Sequence, residues 1–166
     1  MDITAPASCS DDGDPALCAA DVARGVTRML VRHDHVTIAE VPLDGGRRAD
    51  LMAIDSRGGI IIVEIKISRA DLMGDAKWPD YLDHADRFFW AVPAGFDVAP
   101  LAAAAFLPER TGIIVADRYD AEIIRPAHRH PLPAHARKRE TLAFARRAAR
   151  RVIALTDPDA LALPLG

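Results

Sequence analysis

Aromatic residues make up only 5% of this 166-residue chain, and few of them interleave with its basic residues. Proteins that hold single-stranded nucleic acid stack the bases on aromatic side chains, so that mode of binding is not indicated. Cysteine is scarcer still: Cys9 and Cys18 are the two, and they fit no zinc or redox spacing. A reducing, cytoplasmic setting is therefore expected. No apolar run approaches the roughly 18 residues of a membrane span, so no membrane partner is expected. The opening MDITAPASCSDDGD has no basic cap and no apolar stretch, and it does not read as a secretory signal. Residues 1–14 are expected to form a disordered tail, 15–155 a single domain and 156–166 a C-terminal tail.

Strong net charge is absent too, since the formal sum is −3. The distribution is more informative. Between residues 125 and 151 stand Arg125, Arg129, Arg137, Lys138, Arg139, Arg146, Arg147, Arg150 and Arg151, against the single acid Glu140. A basic segment on an acidic body suggests a face made for a polyanion, with a merely solvated helix face as the alternative.

The pattern of residues predicts the elements. Asp14-Pro15 is an N-cap followed by a proline at the first helical position, for a helix to about Arg32. Strands are expected over 36–43, 48–55 and 60–67, joined by turns at Asp44-Gly45-Gly46 and Ser56 to Gly59. Ser68-x-x-Asp71 opens a short helix, and Pro79 opens another reaching about Asp86. A strand at 88–92, an alanine-rich helix at 97–106, strands at 112–116 and 121–124, a proline-rich loop and a helix over 134–155 complete the chain. This order predicts an α/β domain: a central mixed β-sheet flanked by helices, its first three strands a meander.

Three charges interrupt the most hydrophobic part of that meander: Asp50, Glu64 and Lys66. A turn centred near Gly45 sets Glu40 opposite Asp50, and one centred near Arg57 sets Asp50 opposite Glu64. In that register three carboxylates lie in a row across adjacent strands, with Cβ atoms ~5 Å apart. Lys66 leaves the third strand on the same face as Glu64. Two carboxylates at that distance repel by roughly 3 kcal/mol at an effective dielectric of ~20. A divalent cation relieves this, and hard oxygen donors suit Mg²⁺ or Mn²⁺. Asp50 and Glu64, with Glu40 as a further candidate, are the expected ligands. Lys66 is expected to stabilise charge developing on a substrate oxygen or to position a water. An exposed Glu64–Lys66 ion pair is the plainer alternative, but residues 60–67 are otherwise apolar on both faces, which marks a buried strand.

A helix followed by three strands, with Asp on the second and Glu-x-Lys on the third, resembles the PD-(D/E)xK nuclease superfamily, the restriction-endonuclease-like fold with its αβββαβ core. The longer run GRRAD (46–50), VEIKIS (63–68) and ADLMGDAKWPDYLDHADRFFWAVP (70–93) is similar to the MmcB family, bacterial DNA-repair proteins regarded as endonucleases. The resemblance spans about residues 20–150. It implies that Asp50 and Glu64 bind the metal, that Lys66 is the catalytic lysine, and that the activity is Mg²⁺- or Mn²⁺-dependent endodeoxyribonuclease chemistry in DNA repair. Ala49 stands where the superfamily has a proline before the aspartate. DNA is the implied partner, together with other DNA-repair proteins. A member of this fold that binds DNA without cutting is the principal rival, and a protein-interaction subunit is a third.

Around this core, Lys77 and Tyr81 are four apart, one face if the helix starts early enough, and are candidate phosphate contacts, with core packing as the alternative for Tyr81. Trp78 reads as core. Arg48 shares the parity of Asp50 and reaches either a phosphate or Glu40. Arg139, Arg146, Arg147 and Arg150 share a broad face of the last helix and are candidates to track a DNA backbone. His33 and His35 flank Asp34 in a helix-to-strand connection and read as solvated rather than as metal ligands.

Overall fold

The meander forms with the expected registers. In the computed structural model, which describes residues 16–162, β1 (His35–Pro42), β2 (Arg48–Asp55) and β3 (Ile60–Ile65) pair antiparallel. Val41 faces Ala49 across the first hairpin and Leu51 faces Val63 across the second. Gly45, Gly46 and Gly58 take φ of +87°, +79° and +78° at the two turns, a backbone region that side-chain-bearing residues avoid. Three more strands continue one sheet in chain order: β4 (Arg87–Pro93) and β5 (Gly112–Ala116) run parallel to their predecessors, and β6 (Ala121–Arg125) returns antiparallel. The result is a mixed α/β architecture with a six-stranded mixed sheet flanked by helices.

Every residue of β3 is buried, as its apolar composition predicts for a central strand. Ile61, Val63 and Ile65 point to the face covered by α1 (Ala19–Arg32), where Val22, Val26, Met29 and Leu30 pack. Ile60 and Ile62 point to the other face, against Trp78, Phe88 and Trp90. That second face is closed by α2 (Arg69–Gly74), a 3-10 helix at Trp78–Asp83, and α3 (Ala134–Thr156), whose Ala136 and Phe144 enter the core.

Three elements differ from the sequence reading. The first helix starts at Ala19, not at Pro15; its N-cap is Cys18, whose backbone N–H donates to Asp21 Oδ2 at 3.2 Å. Asp14 and Pro15, and with them the tail over 1–14, lie outside the described residues. The segment opened by Pro79 is a 3-10 helix, not an α-helix. The alanine-rich stretch after Asp97 forms two separate 3-10 turns, Ala99–Ala102 and Ala104–Phe106, broken at an extended Ala103. Leu101 and Phe106 are both buried there. Five residues apart on one α-helix they would point well away from each other, so burying both outweighs alanine's helix propensity.

The β1–β2 hairpin is bent, and the bend shapes the site. Glu40 has φ of +54°, and the ladder passes from Ala39–Leu51 to Val41–Ala49 without pairing Glu40 to Asp50. Strand alternation breaks there on both strands: Ile38 and Val41 join the same apolar cluster, as do Met52 and Ala49. The hairpin tip reaches over that face, where Arg47 meets Asp80 at 3.0 Å and Arg139 meets Asp44 at 3.4 Å.

Candidate functional site

Because β2 is bent at Asp50, its ladder with β3 ends at Leu51–Val63. Side chains bridge the gap that follows. The Asp50 backbone N–H donates to Glu64 Oε1 at 3.1 Å, and the Ile65 N–H donates to Asp50 Oδ2 at 2.8 Å. The two carboxylates thus sit side by side at the end of the β2–β3 ladder, each fixed by the other strand's backbone. One oxygen of each, Asp50 Oδ1 and Glu64 Oε2, takes no hydrogen bond among the described residues.

Lys66 completes the group. Its Nζ lies 3.9 Å from Glu64 Oε2, 3.9 Å from Asp71 Oδ1 and 2.8 Å from Asp75 Oδ2. Trp90, beside Glu64 on β4, puts its ring centroid 5.9 Å from the same nitrogen. The sequence reading missed Asp71 and Asp75. Both lie on or just after α2, and no strand register points to them. Trp90 was equally invisible, because parallel pairing of β3 with β4 cannot be counted from a turn.

The electrostatics are those of acids crowded away from water. Burial pushes the Glu64 carboxyl up to about 8, and the neighbouring Asp50 charge adds to the rise. Burial also raises Asp50, against the Ile65 N–H and Lys66, which favour its charged form. For Lys66 burial acts downward, but the bond to Asp75 and the surrounding acids outweigh it and hold the ammonium charged.

These donors suit a hard divalent cation. Among the described residues no group of three or more His, Cys, Asp or Glu side chains is disposed to hold a metal ion. A cation here would take Asp50 and Glu64 and complete its shell with water and phosphate oxygens, a pattern Mg²⁺ commonly adopts.

The other candidates separate. Glu40 is not aligned with Asp50 in the ladder; the positive φ turns it to the rim, where it pairs with Arg48 at 2.6 Å. That salt bridge is the plain alternative foreseen for Arg48. Lys77 and Tyr81 do not share a face: Lys77 is exposed, while Tyr81 is buried against Phe88 and donates its hydroxyl to the Arg48 carbonyl at 3.1 Å. The 3-10 winding accounts for this, since it brings i and i+3 into line rather than i and i+4. Trp78 is core, with ring centroids 5.3 and 5.2 Å from Phe88 and Trp90.

On α3 the arginines divide. Arg139 is tied to Asp44 and Glu140. Arg146, Arg147 and Arg150 have no ion pair among the described residues, and burial together with Arg151 and Arg150 lowers Arg147. Arg151, counted in the basic segment but not among the phosphate candidates of the helix, donates to the Ala39 carbonyl on β1, one residue from Glu40. One arginine of the basic end of α3 thus reaches the strand that borders the acidic site. His33 and His35 are exposed or half-exposed, and His35 Nδ1 lies 2.6 Å from the His33 carbonyl, consistent with a solvated connection.

Fold and site together define a mixed α/β domain with paired acids and one lysine where a bent hairpin parts from its neighbouring strand, and with a basic helix alongside. The chain belongs to the family of MmcB-like DNA repair proteins, whose family model matches residues 7–159. Among solved structures it is similar to a protein of unknown function from Silicibacter pomeroyi. The two are 44% identical over 83% of this chain and 90% of that one, with a TM-score of 0.72. Among curated proteins none matches.

Proposed function

We propose that this domain is a restriction-endonuclease-like, Mg²⁺- or Mn²⁺-dependent DNA endonuclease acting in DNA repair. The observation that carries the reading is the exchange between Asp50 and Glu64. Each carboxylate gives one oxygen to a backbone N–H of the other strand and keeps one oxygen in reserve, that of Glu64 lying 3.9 Å from the Lys66 ammonium. Two crowded carboxylates, one of them held protonated up to about pH 8 by burial, form a costly arrangement that a bound cation would relieve.

Asp50 and Glu64 would hold the ion, which when bound supplies a Lewis acid for the phosphodiester and an acidified water. Lys66 would face the non-bridging oxygen on which negative charge grows as the water oxygen bonds to phosphorus and the ester oxygen departs. Arg146, Arg147, Arg150 and Arg151 would hold flanking phosphates, giving affinity without sequence preference. Membership of a DNA-repair family supports DNA as the substrate.

The test is incubation with Mn²⁺ and a panel of duplex, flapped, branched and single-stranded DNA. Nicking that is abolished by Lys66→Ala, with metal binding spared, supports the reading. A gel shift without nicking in the wild type assigns the domain to DNA binding alone. Nicking that persists in both Asp50→Ala and Glu64→Ala overturns the assignment.

A further inference from the structure

We propose that Asp75 is a positioning residue that holds the Lys66 ammonium off Glu64 and so keeps a Glu64 oxygen available to a cation. This rests on the metal-site reading above and adds a residue that the Asp50, Glu64 and Lys66 pattern does not contain. Lys66 is only 6% exposed, so its ammonium depends on protein partners. Three carboxylates surround it, and the 2.8 Å bond goes to Asp75, with Glu64 and Asp71 each at 3.9 Å. Asp71 is half-exposed, and water screens its pull. Glu64 is as buried as Lys66 and is the real competitor. Trp90 borders the ammonium and supplies no hydrogen-bond acceptor in exchange.

Asp75 is well placed to win. It is the C-cap of α2, and α2 is fixed at its start by the Ser68 hydroxyl, which accepts the Asp71 N–H at 3.1 Å, and along its length by the buried Leu72. The short bond is therefore anchored to a packed element. Without it, a shift of about 1 Å brings Lys66 into hydrogen-bond range of Glu64 Oε2. That is the oxygen left over once Oε1 has accepted the Asp50 N–H. An ion pair there would occupy the position a cation needs.

The experiment compares Asp75→Ala, Asp75→Asn and the double variant Asp75→Ala/Lys66→Met. Mn²⁺ affinity is measured by titration calorimetry, and the structure of Asp75→Ala is determined by crystallography. Asp75→Ala is expected to weaken Mn²⁺ binding about tenfold, the scale of losing a group that orients a metal site. Asp75→Asn keeps an acceptor for the ammonium and is expected to stay within about threefold of wild type. Lys66→Met is expected to restore affinity in the Asp75→Ala background. Equal losses in Asp75→Asn and Asp75→Ala would show a simple field effect and overturn the proposal, as would failure of the double variant to recover. The crystal structure decides without metal. Closure of Nζ to Oε2 from 3.9 Å to about 2.8 Å supports the proposal, and an unmoved Lys66 rejects it. A wild type that takes up no Mn²⁺ would sink the metal reading, while the crystal structure would still show what holds Lys66.

Discussion

Among single residues, Glu64 shows most directly what the arrangement costs. Its folded carboxyl titrates at about 8, above the ordinary 4.5, because burial and Asp50 oppose its charge. The folded state therefore keeps this proton longer than the unfolded chain does. The sign follows from linkage: stability falls as pH rises from about 4.5 through about 8 in the metal-free protein. Glu64→Gln keeps the oxygen that accepts the Asp50 N–H and removes the charge. It is expected to match wild type near pH 4.5 and to exceed it at pH 9 by a few kcal/mol, a Tm rise of roughly 10 °C. Thermal melts at the two pH values check this, and an equal effect at both would contradict it. Asp50, Glu64 and Lys66 were legible in the sequence because a central strand leaves no ordinary reason for charge. Asp75 was not, since its relation to Lys66 depends on how α2 ends.

Among elements, the bent hairpin and the anchoring of α3 matter most. The turn glycines and the apolar alternation were enough to count both hairpin registers, and Val41–Ala49 and Leu51–Val63 bear them out. The break at Glu40 was not legible, because glutamate carries no signal for a φ of +54°. A glycine adopts that conformation without strain, whereas a β-branched residue does not. Glu40→Gly is expected to be neutral or slightly stabilising and Glu40→Val to cost about 1–2 kcal/mol, measured by urea denaturation. That Lys77 and Tyr81 take different faces also escaped the sequence, since proline-led helices read alike whether they wind as α or 3-10.

The anchor of α3 is Asp86. Its buried carboxylate accepts the N–H groups of Ile60 and Leu132 at 2.8 and 2.9 Å and pairs with Arg137 through both oxygens at 2.7 and 2.5 Å. Burial acts to raise its titration, but Arg137 and the two N–H groups prevail and hold it at about 2. The stability it lends is complete above the ordinary 3.8 and is lost as pH falls toward about 2. Asp86→Asn leaves Arg137 uncompensated and is expected to cost about 3 kcal/mol at pH 7, with the difference shrinking in acid. Further along α3, Glu140 meets buried His84, the residue that caps the Trp78–Asp83 3-10 helix, at 2.9 Å, which explains why the lone acid of a basic segment faces inward.

At the scale of the whole molecule, one site gathers acids and one helix gathers bases, and Arg151 of that helix reaches β1, the strand beside the acidic site. The nine bases of residues 125–151 suggested this division, but the sequence did not show which of them are already spent. Arg125 and Arg137 serve the fold, Arg139 is paired and Arg151 bonds the Ala39 carbonyl, while Arg146, Arg147 and Arg150 in the C-terminal half of α3 have no ion pair among the described residues. If Arg146 and Arg150 each neutralise one phosphate, the double alanine variant lowers the slope of log K against log salt by about 1.8 on duplex DNA. An unchanged slope would remove α3 from the DNA-binding surface.

The most direct test of the central claim is calorimetric titration of Mn²⁺ into wild type, Asp50→Ala and Glu64→Ala at pH 8. Wild type is expected to show one saturable binding event, weakened at least tenfold in both variants, with wild-type affinity falling as pH is lowered and Glu64 takes up its proton. A wild type that binds no Mn²⁺, or variants that bind it as tightly as wild type does, would contradict that claim.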